Sequence, residues 1–276
     1  MTFSIVARDA DSFGVAVASR FLAVGSLVPS ARTGLGAVAN QSLPRVANAA
    51  ACLDALAAGQ SAAESLRHVL AVDQLAGLRQ LGLVGPDDAA TFTGADCLPW
   101  AGGVAHSGEH TAYAIQGNLL TGPEVLAEME RAWLAGAGRP LVRRLLEALT
   151  AGDRAGGDRR GRQSAAVYAV RPGAGYDACG VLADFRVDDH ADPVPELVRL
   201  VDLGELHFGH PEGVAPLTGP LAAEVSGLLG AVGVTGGEVA ADLALWAGMA
   251  NLETRLTPDG IDARVLEELR RAAGSR

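Results

Sequence analysis

Three short runs of apolar and β-branched residues at the start of the chain constrain its fold most. Residues 2–8 (TFSIVAR) and 13–19 (FGVAVAS) flank the polar segment DADS, and residues 34–40 (GLGAVAN) have the same character. Val, Ile, Phe and Thr favour extended backbone, whereas Asp and Ser favour the turn between two strands. The pattern therefore predicts a β-hairpin followed by a third strand. A chain that starts in a strand has its terminus tied down, whereas most termini fray.

Further strands and two pairs of helices follow. Ser61 followed three residues later by Glu64 is typical of a helix N-terminus with a capping box. The predicted helices are 46–56, 61–73, 123–133, 141–149 and 194–203, and the further strands are 79–84, 89–93, 111–116, 164–170 and 183–187. Strand-rich segments at both ends, with helices in pairs, indicate an α+β fold. They argue against a dinucleotide-binding fold, because Gly34 and Gly36 lack the third glycine and the helix that such a site needs.

The last part of the chain differs in style. Residues 205–220 contain two histidines, three prolines and three glycines, a composition typical of a linker. Three helices are predicted after it, over 221–232, 239–247 and 261–273, the last capped by the preceding Asp-Gly pair. The sequence thus predicts a large domain over 1–205, a linker over 206–220 and a small helical module over 221–276.

Composition excludes several classes of function. The net charge is −10, and all 22 basic residues are arginine. Nucleic acids and anionic membranes require a positive face, so neither is an expected partner. Without lysine, the chain has no residue for a Schiff base, and a fixed cation in a site must be arginine. The three cysteines have no metal-ligand spacing, so no metal site is indicated, and we expect no cofactor. No stretch of about 20 apolar residues occurs, so we expect a cytoplasmic protein.

Thr2 has two interpretations at this level. It is either an ordinary strand residue behind the initiator methionine, or a nucleophile that carries its own base. If Met1 is removed, Thr2 has a hydroxyl group and a free α-amine, which titrates near about pH 8 and can accept the hydroxyl proton. From the residues alone both interpretations stand.

Polar residues at strand ends form the other candidate sites. Asn118, which follows a glycine, could donate to an oxyanion or could simply favour a turn. The loop GGDRRG at 156–161, which contains Arg160, could be an arginine fork for an anion or a solvated charged loop, and for Arg162 alone the solvated loop is favoured. Asp188, Asp189, His190 and Asp192 resemble metal ligands, but adjacent residues of an extended chain point in opposite directions, so only alternate side chains could share an ion. A helix N-cap by Asp192 ahead of Pro193 explains part of the pattern, so we do not predict a metal site. The complete set of candidates at strand ends is Thr2, Ser19, Arg20, Asn40, Gln41, Asp96, Trp100, Gln116, Asn118, Asp158 and Arg160.

Several motifs, taken together and in order, resemble the DUF1028 family. They are TFSIVARD at residue 2, FLAVGS at 21, FTG at 92 with WAG at 100, QGN at 116, GGDRRG followed by QS at 156–164, and RVDDH at 186. The resemblance covers about residues 2–205 and implies a relative of the N-terminal-nucleophile hydrolases, a four-layer αββα sandwich. The C-terminal module, through ANLETR at 250 and IDARVL at 261, is similar to a peptidoglycan-binding domain that is appended to some members.

The resemblance favours Thr2 as the nucleophile of an amidohydrolase that acts on a small amide. Catalytic roles are expected for Thr2, Asn118 and Arg20. Contacts with the substrate are expected from Asn40, Gln41, Asp96, Trp100, Gln116, Asp158 and Arg160. Two alternatives stay open: a small-molecule-binding protein without catalysis, and a structural homo-oligomer. A peptidoglycan fragment is a further candidate ligand for the C-terminal module, although a cytoplasmic location would keep it from the cell wall.

Overall fold

The protein is described by a computed structural model that covers residues 2–275. The chain forms two compact units, Met1–Leu200 and Val201–Arg276. Within the described part there are two antiparallel sheets and eight helices, so the chain is a mixed α+β protein.

The larger sheet of the first unit is built around the hairpin at the start of the chain. Its strands are β1 (Thr2–Asp9), β2 (Ser12–Ser19), β7 (Gly102–Ser107), β8 (Thr111–Asn118), β9 (Ser164–Val170) and β10 (Val181–Val187). The six strands lie in the order β10-β9-β2-β1-β8-β7. Strand β1 therefore lies between β2 and β8 and is buried along almost its whole length.

A second sheet of four strands lies against the first. Its strands are β3 (Pro29–Arg32), β4 (Gly36–Ser42), β5 (Arg79–Val84) and β6 (Ala89–Thr93), in that order across the sheet. One hydrophobic core contains residues of both sheets, among them Val6 and Val15 from the larger sheet and Ala37 and Val84 from the smaller one. Residues that alternate with Val6 along β1, including Thr2 and Ser4, share its face of the strand.

Helices pack on both sheets. Helices α1 (Val46–Ala57) and α2 (Ala62–Ala71) contact the four-stranded sheet, where Leu53 and Leu66 share a core with Leu81. Helices α3 (Glu124–Ala135) and α4 (Leu141–Arg154) contact each other, and α4 packs on β1 and β2. Gly14 permits this close packing, because a Cβ atom there would lie 2.7 Å from Leu145 Cδ1.

The second unit is helical. Helix α5 (Pro193–Phe208) contains the division between the units, and α6 (Gly219–Ala231), α7 (Val239–Met249) and α8 (Ala263–Gly274) follow. Leu229, Trp246 and Leu269 contribute one side chain from each of these three helices to a common core. None of the helices described is both long and apolar enough to cross a lipid bilayer.

Most elements predicted from the sequence are confirmed, including the capping box of Ser61 and Glu64 at the start of α2. Two strands were missed. Strand β3 has only four residues, and β7 starts with two glycines, so neither has the alternating pattern of a half-buried strand.

Two details near the C-terminus differ from expectation. Helix α8 is capped by Asp262, whose side chain accepts from the backbone N–H groups of residues 264 and 265, and not by the Asp-Gly pair before it. The segment predicted as a linker begins within α5, and further along it Ala215 forms a β-bridge with Ile261. Composition alone suggested a spacer, whereas these backbone groups pair within the helical unit.

Candidate functional site

Thr2 lies at the start of β1 between two polar neighbours. It is opposite Asn118 in the β1–β8 register, and its side chain is on the face that β1 turns toward the smaller sheet. Its hydroxyl donates a hydrogen bond to Ser19 Oγ over 3.1 Å, and the residue is 4% exposed. The hairpin thus brings together the first residue of one strand and the last residue of the next.

A network of buried side-chain amides lies beside Thr2, between the two sheets. Gln80 Nε2 donates to the carbonyl oxygens of Gly117 at 2.8 Å and Gly102 at 3.1 Å. Because a carbonyl oxygen can only accept, the Gln80 nitrogen must face these groups and its oxygen must face the other way. Gln80 Oε1 accepts from Gln41 Nε2 at 2.9 Å and from Asn118 Nδ2 at 2.8 Å. The backbone therefore fixes the orientation of all three amides.

This orientation decides what Asn118 can offer a ligand. Its NH2 group donates to Gln80, while its Oδ1 is buried and has no hydrogen-bond partner among residues 2–275. A buried acceptor without a donor costs about 1–3 kcal/mol of folding free energy. A ligand or terminal group that donates a hydrogen bond to Oδ1 would remove this cost. Asn118 belongs to strand β8, and the positive φ of 49° belongs to Leu119. The interpretation of Asn118 as a left-handed turn residue is therefore wrong.

Gln41 and Gln116, both expected to bind substrate, lie in the same network. Ser4 Oγ donates to Gln41 Oε1 at 2.7 Å and accepts from Gln116 Nε2 at 2.6 Å. Both glutamines are completely buried. Gly82 gives Gln116 its space, because a Cβ atom there would lie 2.0 Å from Gln116 Oε1. Asn40 is equally buried and donates to the carbonyl oxygen of Arg45 at 2.8 Å. Gln41 and Gln116 thus link the two sheets next to Thr2, whereas Asn40 bonds the backbone that leads into α1.

A cavity of about 480 Å³ opens where β2 ends. Ser19 is among its lining residues, so the hydroxyl that accepts from Thr2 also borders the cavity. The full lining is Phe3, Ala18, Ser19, Arg20, Asp153, Arg154, Gly156, Asp158, Gly161, Arg162, Ala191 and Pro193. Thr2 itself is not in this set. Thr2 reaches the cavity only through its hydrogen bond to Ser19, which lines it.

Asp158 anchors the loop at one side of the cavity. Its carboxylate accepts from the backbone N–H of Arg20 at 2.8 Å and from that of Arg160 at 2.9 Å. The Arg160 guanidinium also donates to it, with an Nη2–Oδ2 distance of 2.9 Å. The structure thus brings Arg20, Asp158 and Arg160 together. The side chains of Asp158 and Arg160 form an ion pair with each other.

Asp96 and Trp100 lie apart from this group and are not among the cavity residues of the described chain. Asp96 is exposed, and the half-buried ring of Trp100 covers Gly102, where a Cβ atom would lie 2.7 Å from it. Leu120 donates its backbone N–H to the Trp100 carbonyl at 3.0 Å. Their place in the structure favours a role in holding the loop before β7.

Sequence reasoning did not select Gln80, Asp153 and Arg154, and it assigned Arg162 to a solvated loop. Gln80 left one signal, a large polar residue inside the apolar strand RQLGLV. Asp153 and Arg154 gave none, because charged residues at a helix end are ordinary on a surface. The hydrogen bond to Asp153 raises the pKa of Arg162, and the two charges neutralise each other. In the described chain no three His, Cys, Asp or Glu side chains gather as metal ligands would.

The fold and the site define a class of protein: a two-sheet α+β protein with a polar site at the start of a central strand. The chain belongs to DUF1028, a family of unknown function, whose model matches residues 2–197. The chain is also similar to a solved structure, that of a Silicibacter pomeroyi protein of the same family designation. The identity is 28% with a TM-score of 0.66, over 81% of this chain and 92% of the other. No protein of curated function matches it.

Proposed function

We propose that the first unit is an αββα sandwich of the N-terminal-nucleophile type and that it hydrolyses a small amide through Thr2. Helices on the outer side of each sheet, with an apolar core shared by the two sheets, support the four-layer arrangement. The observation that carries the function is the position of Thr2 on a central strand, with its hydroxyl 3.1 Å from the cavity residue Ser19.

The chemistry requires cleavage of the peptide bond that precedes Thr2. The α-amine released there has a pKa near about 8 and accepts the hydroxyl proton, directly or through water, as Thr2 Oγ1 attacks the amide carbonyl. The amine of the substrate leaves with that proton, and the acyl group stays on Thr2 as an ester. Water then attacks the ester, releases the acid and restores the hydroxyl.

The amide network suggests roles for the two neighbours of Thr2. Asn118 presents a buried acceptor, Oδ1, and suits the N–H groups of the Thr2 α-amine better than an oxyanion. Ser19 carries a hydroxyl between Thr2 and the cavity, where it can donate to the developing oxyanion. Preorganised donors of this kind are worth about 10²–10³ in rate.

A binding protein without catalysis is the second candidate, and one observation favours it. Thr2 is 4% exposed and is not among the cavity-lining residues. A ligand could therefore occupy the cavity without touching the hydroxyl. In that case the network around Gln80 would only hold the sheets together.

The test combines intact mass with turnover. The mass of purified protein shows whether Thr2 is the leading residue, and a panel of small amides is assayed for release of the amine. We expect Thr2→Ala to abolish turnover, Thr2→Ser to retain part of it, and an acyl adduct to form on residue 2. Thr33→Ala, at an exposed threonine, is the matched control. Full turnover by a folded Thr2→Ala protein would refute the hydrolase and leave the binding protein.

Three further expectations stay predictions: homo-oligomer formation, a cytoplasmic location and binding of peptidoglycan fragments by the second unit. The family match ends at residue 197, before that unit begins. Its hollow of about 290 Å³ is bordered by His207, Trp246 and Arg271 among others. Trp246 is only 7% exposed, so its ring offers little face for a sugar.

A further inference from the structure

We infer that the cavity beside Ser19 recognises a carboxylate through Arg20 and Arg154, so that the substrate is a small amide with a separate acidic group. The identification of the ligand as a substrate rests on the proposed function, whereas the carboxylate-binding site does not. It is carried by the balance of charges in the cavity, where both lining acids are ion-paired and two lining arginines have no acidic partner among the described residues.

Both acids that line the cavity are already committed. The Asp158 side chain is only 1% exposed, and it receives the Arg160 guanidinium and two backbone N–H groups. Asp153 Oδ1 accepts from Arg162 Nε at 2.7 Å, and Arg162 Nη1 also lies 3.3 Å from Asp192. Each carboxylate is therefore already ion-paired with a guanidinium other than those of Arg20 and Arg154.

Arg20 and Arg154 are the unbalanced charges. Neither has an acidic partner among residues 2–275, and the only side-chain hydrogen bond seen for Arg20 runs from Nη1 to the Arg160 carbonyl at 3.3 Å. Gly161 borders the Arg20 guanidinium, because a Cβ atom there would lie 3.3 Å from Nη1. Its φ of 105° also disfavours any residue with a side chain.

A carboxylate is the ligand group that fits these features. A guanidinium binds a carboxylate through two parallel N–H···O bonds, and such charge-assisted bonds are the stronger kind. The chain has a net charge of −10, which disfavours anions at long range, so a local positive site is needed to hold one. The volume of about 480 Å³ suits a small molecule rather than a polymer.

The experiment compares succinamate with succinamide, which replaces the carboxylate by a neutral amide of nearly the same shape. Binding to the full chain is measured by calorimetry at low ionic strength. We expect succinamate to bind at least about tenfold more tightly, the ratio expected for one charge-assisted contact. Arg20→Gln and Arg154→Gln should each remove most of that preference. Arg159→Gln, at an exposed neighbouring arginine outside the cavity lining, should leave it unchanged.

Each other outcome overturns the inference. Equal affinity for the two probes, no measurable binding of succinamate, or an equal loss in Arg159→Gln would do so. Circular dichroism spectra of the variants exclude misfolding, and two separate arginines guard against the failure of one variant. If succinamate binds preferentially but no amide is ever hydrolysed, the proposed function fails and the carboxylate site stands. If amides are hydrolysed equally well with and without an acidic group, the function stands and the site does not.

Discussion

Gln80 Oε1 and Asn118 Nδ2 lie 2.8 Å apart between the two sheets, and this hydrogen bond orients the amide next to Thr2. Gln80 belongs to the smaller sheet and Asn118 to the larger one. The orientation follows from two backbone carbonyl oxygens that only the Gln80 nitrogen can satisfy. A side chain of one sheet thus decides which atom the other sheet presents to the site.

Gln80→Glu is expected to destabilise the protein severely. A carboxylate would place an oxygen against the carbonyls of Gly102 and Gly117, and its buried charge would have amide donors on one oxygen but no cation among the contacts described. The cost of such a change is about 2–4 kcal/mol. The urea midpoint of unfolding measures it. Gln74→Glu, at an exposed glutamine, should change the midpoint little, and a comparable loss in both variants would contradict the network.

Ser19→Ala is expected to lower kcat by about 10²-fold if the proposed hydrolase is correct, because the donor between Thr2 and the cavity is lost. KM should change less, since the arginines that we propose as the carboxylate site are untouched. The measurement is steady-state kinetics on the best amide found. Ser26→Ala is the control, because this exposed serine bonds only the carbonyl of Ala23 among the contacts seen. An unchanged kcat in Ser19→Ala would remove Ser19 from the mechanism.

Asp73→Asn should reduce stability at neutral pH and flatten its dependence on acid. Asp73 and Arg79 form a buried ion pair at 2.8 Å, and the hydrogen bonds from Arg79 hold the pKa of Asp73 well below its usual range. The unfolded chain therefore takes up this proton first. The stabilisation is complete above the unfolded pKa of about 4 and is lost as the pH falls toward the folded value.

The measurement is the urea midpoint between about pH 7 and pH 3. Loss of one partner of a buried pair costs about 3–5 kcal/mol. The decline of stability below about pH 4 should be shallower in Asp73→Asn than in the unmodified protein. Asp87→Asn, at an exposed aspartate, should follow the unmodified protein. Parallel curves for all three proteins would contradict the assignment.

Arg255→Lys is expected to destabilise the second unit. Arg255 is 3% exposed and donates to the carbonyl oxygens of Glu205, Leu206 and His210 and to Asp262. A lysine ammonium has three donors without the planar fork, so it leaves buried acceptors unsatisfied, at about 1–3 kcal/mol. Hydrogen exchange in α8 should accelerate while β1 stays protected. Arg270→Lys, at an exposed ion pair, is the control. Equal hydrogen-exchange protection of α8 in both variants would contradict the prediction.

Only Cys179 should react quickly with a thiol reagent in the native protein. It is exposed, whereas Cys52 and Cys97 are buried. Burial raises the pKa of Cys52 to about 12, so almost no reactive thiolate exists at about pH 8. Titration should give one fast thiol in the native state and three after denaturation, and none fast in Cys179→Ser. Rapid modification of a second thiol in the folded protein would show that a core opens.

The sequence by itself determined the opening hairpin, the helix pairs, the capping box at Ser61 and the position of Thr2 at a strand start. These features depend on residues that are close in the chain, through alternation, helical period and local hydrogen bonds. It also determined that any fixed cation would be arginine, since the chain has no lysine.

Only the tertiary structure decided which polar residues line the cavity and which link the two sheets. Gln41 and Gln116 looked like ligand contacts, but the partners that satisfy them come from distant strands. Arg160 was a candidate for an arginine fork, and folding places its guanidinium on Asp158, whereas Arg154 has no ion pair among the described residues. Hydrogen bonds and charge balance between segments far apart in the chain depend on distances that local patterns do not contain.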